Sequence, residues 1–175
     1  MPAYARPRIV APPALDDAGV PYGSRWEPDG PPDSAYSVTS HLERLAPLHA
    51  VTDALVAHLA ATHEVTVVDG ADPGIADPHP DAVRTVRLVR RDGTGRAMVL
   101  EWTSFPGVIV HVPGRGPATH AASAYPPCGC DACDDTWDQL ADGLEDEVLT
   151  LAGERPASVE PSLPTFDRRR QAGRR

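Results

Sequence analysis

The sequence predicts an α+β fold: a two-layer sandwich in which a mainly antiparallel sheet of four to five strands carries an N-terminal and a C-terminal helix on one face. Three observations predict it. Apolar residues recur at three- and four-residue spacing from Pro47 to Thr62, and helical spacing returns from Trp137 to Leu151. Between them, short β-branched runs alternate with turns rich in glycine and proline.

Length and composition set the frame for these elements. With 175 residues and 41% hydrophobic content, the chain can bury one core of ordinary size and not two. Residues 1–35 hold eight prolines, which remove backbone donors and favour extended conformations, so this stretch reads as a flexible Pro-rich arm. Tyr22 and Trp26 are its two side chains suited to docking on a domain. Residues 36–153 then form a single domain. The tail from 154 to 175 carries Pro156, Pro161 and Pro164 and five arginines after residue 167, and reads as disordered.

The first helix begins at Pro47, because a missing N–H costs nothing in the first turn. Leu48, Val51, Leu55, Leu59 and Thr62 form its apolar stripe; His49 and Asp53, four residues apart, are close enough to pair on its other side. Val65 to Val68 is a short strand, and the glycines and prolines from Asp69 to Asp81 make a loop. Val83–Arg91 and Arg96–Thr103 read as a hairpin about Asp92-Gly93-Thr94-Gly95. In the return strand Met98, Leu100 and Trp102 share one face and Val99 and Glu101 the other, as in a sheet covered on one side. Pro106-Gly107 fits the centre of a type II turn leading into Val108–Val112. A last strand lies within Ala118–Tyr125. The final helix has Asp134 or Asp135 placed as its N-cap and Gly153 beyond its end.

All three cysteines sit between this last strand and the last helix, in Cys128-Gly129-Cys130-Asp131-Ala132-Cys133-Asp134. Three thiols within six positions cannot be a disulfide framework; in a reducing compartment such a cluster binds metal or does thiol chemistry. As metal ligands, Cys128, Cys130 and Cys133 would wrap a zinc ion, with Gly129 easing the turn and a fourth donor drawn from elsewhere in the chain. His120 is the nearest histidine, and His111, His49 and Asp131 are the other candidates. The alternative is a thiol–disulfide oxidoreductase or redox sensor, opposed by the carboxylates around the thiols, which raise thiol pKa. A third reading packs the cysteines as small hydrophobes. His41-Leu42-Glu43 imitates the first half of a zinc-deaminase signature, but the Pro-Cys-x-x-Cys half fails, because Asp131 stands three residues after Cys128.

Pro47-Leu48-His49-Ala50, Phe105-Pro106-Gly107-Val108 and the Cys-Gly-Cys-Asp-Ala-Cys-Asp run together resemble an uncharacterised actinobacterial family defined as a domain of unknown function. The resemblance covers roughly residues 36–153. It implies no activity, cofactor or catalytic residue.

The function read from the residues is therefore a non-catalytic binding or interaction domain with a zinc clip at the start of the last helix. Net charge is −9 and every one of the 16 basic residues is arginine, a balance that disfavours nucleic-acid binding. No run is apolar enough for a membrane span, and no signal-peptide pattern opens the chain, so the expected address is the cytoplasm. From Asp131 to Glu147 there are eight carboxylates and no basic residue, an acidic face suited to a basic protein partner or to the arginine-rich tail.

Overall fold

The structure is a computed structural model and describes residues 3–70, 78–92, 97–113 and 120–155. Two helices and five strands follow the expected order. They are α1 (Pro47–Thr62), β1 (Val65–Asp69), β2 (Ala82–Arg90), β3 (Met98–Thr103), β4 (Val108–Pro113), β5 (His120–Tyr125) and α2 (Trp137–Leu151). The sheet is a plain meander, β1-β2-β3-β4-β5, with every neighbouring pair antiparallel. Both helices pack on one face, so the fold is the α+β sandwich. Among the described residues no helix is long and apolar enough to cross a membrane.

Register explains the core. Leu88 pairs with Met98, and Val86 with Leu100, which also faces Val110; Trp102 faces Val108. The period of two sends this set to the same side, where it meets Leu48, Val51, Leu55 and Leu59 of α1 and Leu140, Leu144 and Val148 of α2. Each such aliphatic side chain removed from water contributes about 1.5–3 kcal/mol before chain entropy is subtracted. Trp102 is 3% exposed and reaches the His49 carbonyl of α1 with its indole N–H, at 3.4 Å.

The opposite face departs from expectation. A sheet covered on one side should leave Val99 and Glu101 in water, yet β3 is buried along its whole length and both residues are fully buried. Glu101 Oε2 accepts from His111 Nε2 at 2.8 Å, its neighbour on β4, and from the His79 N–H at 3.2 Å. A central strand is flanked on both edges, so alternation alone underestimates its burial.

Local expectations are corrected in four places. Gly107 has no positive φ, so the β3–β4 connection is not the anticipated type II turn. Glycine is needed there because a Cβ would stand 2.9 Å from the Tyr125 carbonyl oxygen of the strand alongside. Asp134 and Asp135 do not cap α2; Thr136 does, in a capping box completed by Gln139. His49 and Asp53 do not pair, since His49 Nε2 meets the Gly107 carbonyl at 3.1 Å and Asp53 meets Arg84 at 2.6 Å. The Asp92–Gly95 hairpin turn falls largely outside the described residues.

The fourth correction concerns the N-terminal arm. Far from standing loose, residues from Tyr4 to Ser40 lie against the domain. Arg6 and the Tyr4 hydroxyl bind Glu145 of α2, Tyr22 is 6% exposed, and two 3-10 turns, Asp33–Ser37 and Leu42–Leu45, deliver the chain to α1. Proline density limits hydrogen bonding within a segment, but not its docking through side chains onto a surface already folded. The tail from residue 156 onward lies outside the described residues.

Candidate metal centre

The loop from Pro126 to Thr136 joins β5 to α2 and contains a single 3-10 turn, Asp131–Cys133. Within it the three sulfurs converge. Cys128 Sγ lies 3.2 Å from Cys130 Sγ, which lies 3.6 Å from Cys133 Sγ, and all three fall within 4.8 Å of one another. Zinc–sulfur bonds of about 2.3 Å at tetrahedral angles set sulfurs roughly 3.8 Å apart, so the cluster is already close to the spacing a metal imposes. No disulfide joins any pair; Cys128 and Cys133 are exposed and Cys130 half-buried.

The thiols are not equivalent. Cys130 is held below the usual thiol range, chiefly by its contact with the Cys128 thiol, with backbone N–H groups of Ala132 and Cys133 helping. Cys133 is pushed up to about 12, first by burial and then by its two thiol neighbours. The lowering at Cys130 thus comes from local N–H groups and a neighbouring thiol. The α2 N-terminus begins only at Trp137, four residues beyond Cys133.

What holds the loop in this shape is the segment before α1, which sequence reasoning assigned no such role. Arg25 is the centre of the grip: its backbone N–H donates to Asp134 Oδ2 at 2.8 Å, its Nε to Oδ1, and its outer nitrogen to the Asp131 carbonyl at 2.7 Å. The Trp26 indole N–H reaches the same carbonyl at 3.1 Å. Ser40 donates from its backbone to Asp131 Oδ1 at 3.0 Å and from its hydroxyl to Oδ2, while Asp131 N–H returns a bond to Val38. Arg44 binds the Asp135 carbonyl at 3.2 Å. The two guanidinium groups both face the Tyr22 ring, at 3.6 and 4.2 Å, so charge and aromatic surface are desolvated together.

From the other side Phe105, in the β3–β4 turn, lies against Gly129. A Cβ at Gly129 would stand 2.6 Å from the ring. Glycine therefore permits this close approach of the Phe105 ring, and its φ is not positive.

The expected fourth ligands are placed elsewhere. His120 pairs with Pro113 at the end of β5 remote from the cysteines, five residues before Tyr125. At about 3.3 Å per residue its backbone stands roughly 16 Å from the strand end where the loop begins. His111 is bound to Glu101 and His49 to Gly107. Asp131 is nearest, but both its carboxylate oxygens are taken by Ser40. Among the described residues, the three cysteines alone form a group able to hold a metal.

The carboxylates expected to oppose thiol chemistry, or to await a basic partner, are largely met by the chain itself. Arg25 neutralises Asp134, Arg6 takes Asp142 and Glu145, and Arg155 takes Asp146. Glu147 accepts from Ser123 and Tyr125.

A family model described as a family of unknown function (DUF6226) matches residues 12–172. The match begins well inside the segment expected to be an arm and runs into the tail. No curated protein and no solved structure matches the chain.

Proposed function

The chain belongs to this family of unknown function, and from the site itself we propose that it is a small zinc-binding domain, non-catalytic, in which Cys128, Cys130 and Cys133 hold one zinc ion. The observation that carries the reading is the convergence of three sulfurs within 4.8 Å on a loop whose Asp131 and Asp134 carboxylates are already engaged. Zinc would supply the charge that three crowded thiolates lack. It would also fix the β5–α2 loop as a surface for a partner. On the rest of α2, Arg6 and Arg155 pair with Asp142, Glu145 and Asp146, which lowers the net negative charge left for such a partner. Metal binding by free thiolates suits a reducing compartment such as the cytoplasm.

A thiol–disulfide function is the second reading, favoured by the 3.2 Å approach of Cys128 to Cys130 and by the lowered pKa of Cys130. Elemental analysis of protein purified under reducing conditions, beside a free-thiol titration, separates the two. About one zinc per chain with protected thiols supports the first; no metal with interconverting thiols supports the second.

A further inference from the structure

The three sulfurs leave a coordination position that no described residue fills, and the surface beside them is hollow. A cavity of about 310 Å³ runs between the segment before β2 and the end of β5; Cys128 and Gly129 close one end, and His79, Asp81, Phe105 and Ala124 line it. A second hollow of about 280 Å³ shares His79, Ile109 and Ala124 with it and extends it past Ala122 of β5 to His111 on β4. Together they form a trough across the outer face of the sheet, leading to Cys128.

We infer that the metal ion at Cys128, Cys130 and Cys133 is completed by an external donor entering through this trough, and that the donor is a small neutral nitrogen base; this rests on the zinc reading above. The charge argument selects the class. A dication with three thiolates carries a net charge of −1, and among the described residues no arginine lines either part of the trough, whereas Asp81 lines it beside Cys128. Arg25, whose guanidinium reaches the cysteine loop at the Asp131 carbonyl, is committed to Asp134. An anionic donor therefore meets like charge from the centre and from Asp81, and a neutral imidazole or amine does not. Sites with three protein ligands and an exchangeable fourth are the open form of zinc coordination, as distinct from the closed four-ligand staple. The walls suit an organic base: Pro78, Pro80 and Ile109 give apolar contact, and the alanines of β5 leave room for it.

The test uses the full chain loaded with cobalt(II), whose sulfur-to-metal charge-transfer absorption reports the thiolates and whose visible bands report the fourth ligand. Imidazole is titrated in, beside azide as an anionic donor. The expected result is a saturable shift of the visible bands by imidazole with the charge-transfer band intact, and about a tenth of that response or less with azide at equal concentration. Ala124→Trp and, independently, His79→Trp should fill the trough, keeping the charge-transfer band and abolishing the imidazole response. Visible bands indifferent to imidazole with charge transfer intact would overturn the inference, since the fourth ligand is then internal. So would bands that change with protein concentration, which would assign that ligand to a second copy, or an undiminished response in both filled variants. Absence of the charge-transfer band would instead remove the zinc reading beneath it.

Discussion

Replacing Arg25 by alanine tests whether the N-terminal segment builds the cysteine loop. Its side chain is 3% exposed and that of Asp134 11%, so the ion pair is shielded from water and counts as buried. Breaking such a pair costs about 3–5 kcal/mol, because the remaining charge is left without its partner. Two contacts moderate the loss. Asp134 keeps the backbone N–H of residue 25, and the Asp131 carbonyl keeps the Trp26 indole. We therefore expect about 3 kcal/mol, the lower end, in urea unfolding monitored by tryptophan fluorescence. A double-mutant cycle with Asp134→Asn should show coupling of about 2 kcal/mol, against well under 1 for an exposed pair. The loop would also lose its support, so zinc affinity should fall about 10–100-fold, as when groups behind metal ligands are removed. A loss below about 1 kcal/mol with unchanged zinc affinity would refute the clamp and return the segment to the status of a loose arm.

The core, the outer face and the α1–α2 closure supply further tests. Trp102→Ala should cost about 3–5 kcal/mol, the range for a buried large aromatic, while Trp137→Ala and Trp26→Ala, both only part-buried, should cost clearly less; equal losses at all three would contradict the packing. Glu101→Ala should destabilise by about 3–5 kcal/mol, since it strips a buried His111 of its carboxylate, and a neutral result in the same unfolding assay would remove that pair from the account. Burial works against ionisation of Glu154, but its bonds to His58 and His63 outweigh it and depress its pKa. A depressed carboxylate contributes stability that is complete above its unfolded value, about 4.3, and lost as pH falls through its folded value. Glu154→Gln should therefore lower stability at neutral pH and flatten the acid limb of the stability curve; an acid limb identical to wild type would refute it.

Much of the fold was legible because its signals are local. The helical stripe from Leu48 to Thr62, the paired runs about β2 and β3 and the stripe from Trp137 to Leu151 each state a period within one element, and periods survive whatever packs against them. The cysteine cluster was legible for the same reason: its three thiols lie within six residues. Arg25, Ser40 and Arg44 were not, because their partners lie about 90 to 110 positions away and nothing local distinguishes a clamping arginine from a solvated one. Proline density pointed the wrong way here, since it reports the lack of internal hydrogen bonds and not the lack of docking. His120 illustrates the opposite error. Nearness in sequence suggested a ligand, yet β5 is extended and sets the backbone of His120 about 16 Å from Tyr125, where a helix or turn would have kept the two close. The burial of Glu101 was hidden because period-two alternation says which residues share a face and not whether that face is covered.

The most direct test of the metal centre is thermal unfolding of metal-analysed protein, purified under reducing conditions, with and without prolonged chelation, for the wild type and for Cys130→Ser. The unfolded chain cannot present three sulfurs together, so metal binding and folding are linked. The account predicts about one zinc per wild-type chain, a melting temperature lowered by the chelator, and a Cys130→Ser variant that holds little metal and does not respond. A wild type that contains no metal, and whose melting is untouched by the chelator, would contradict it.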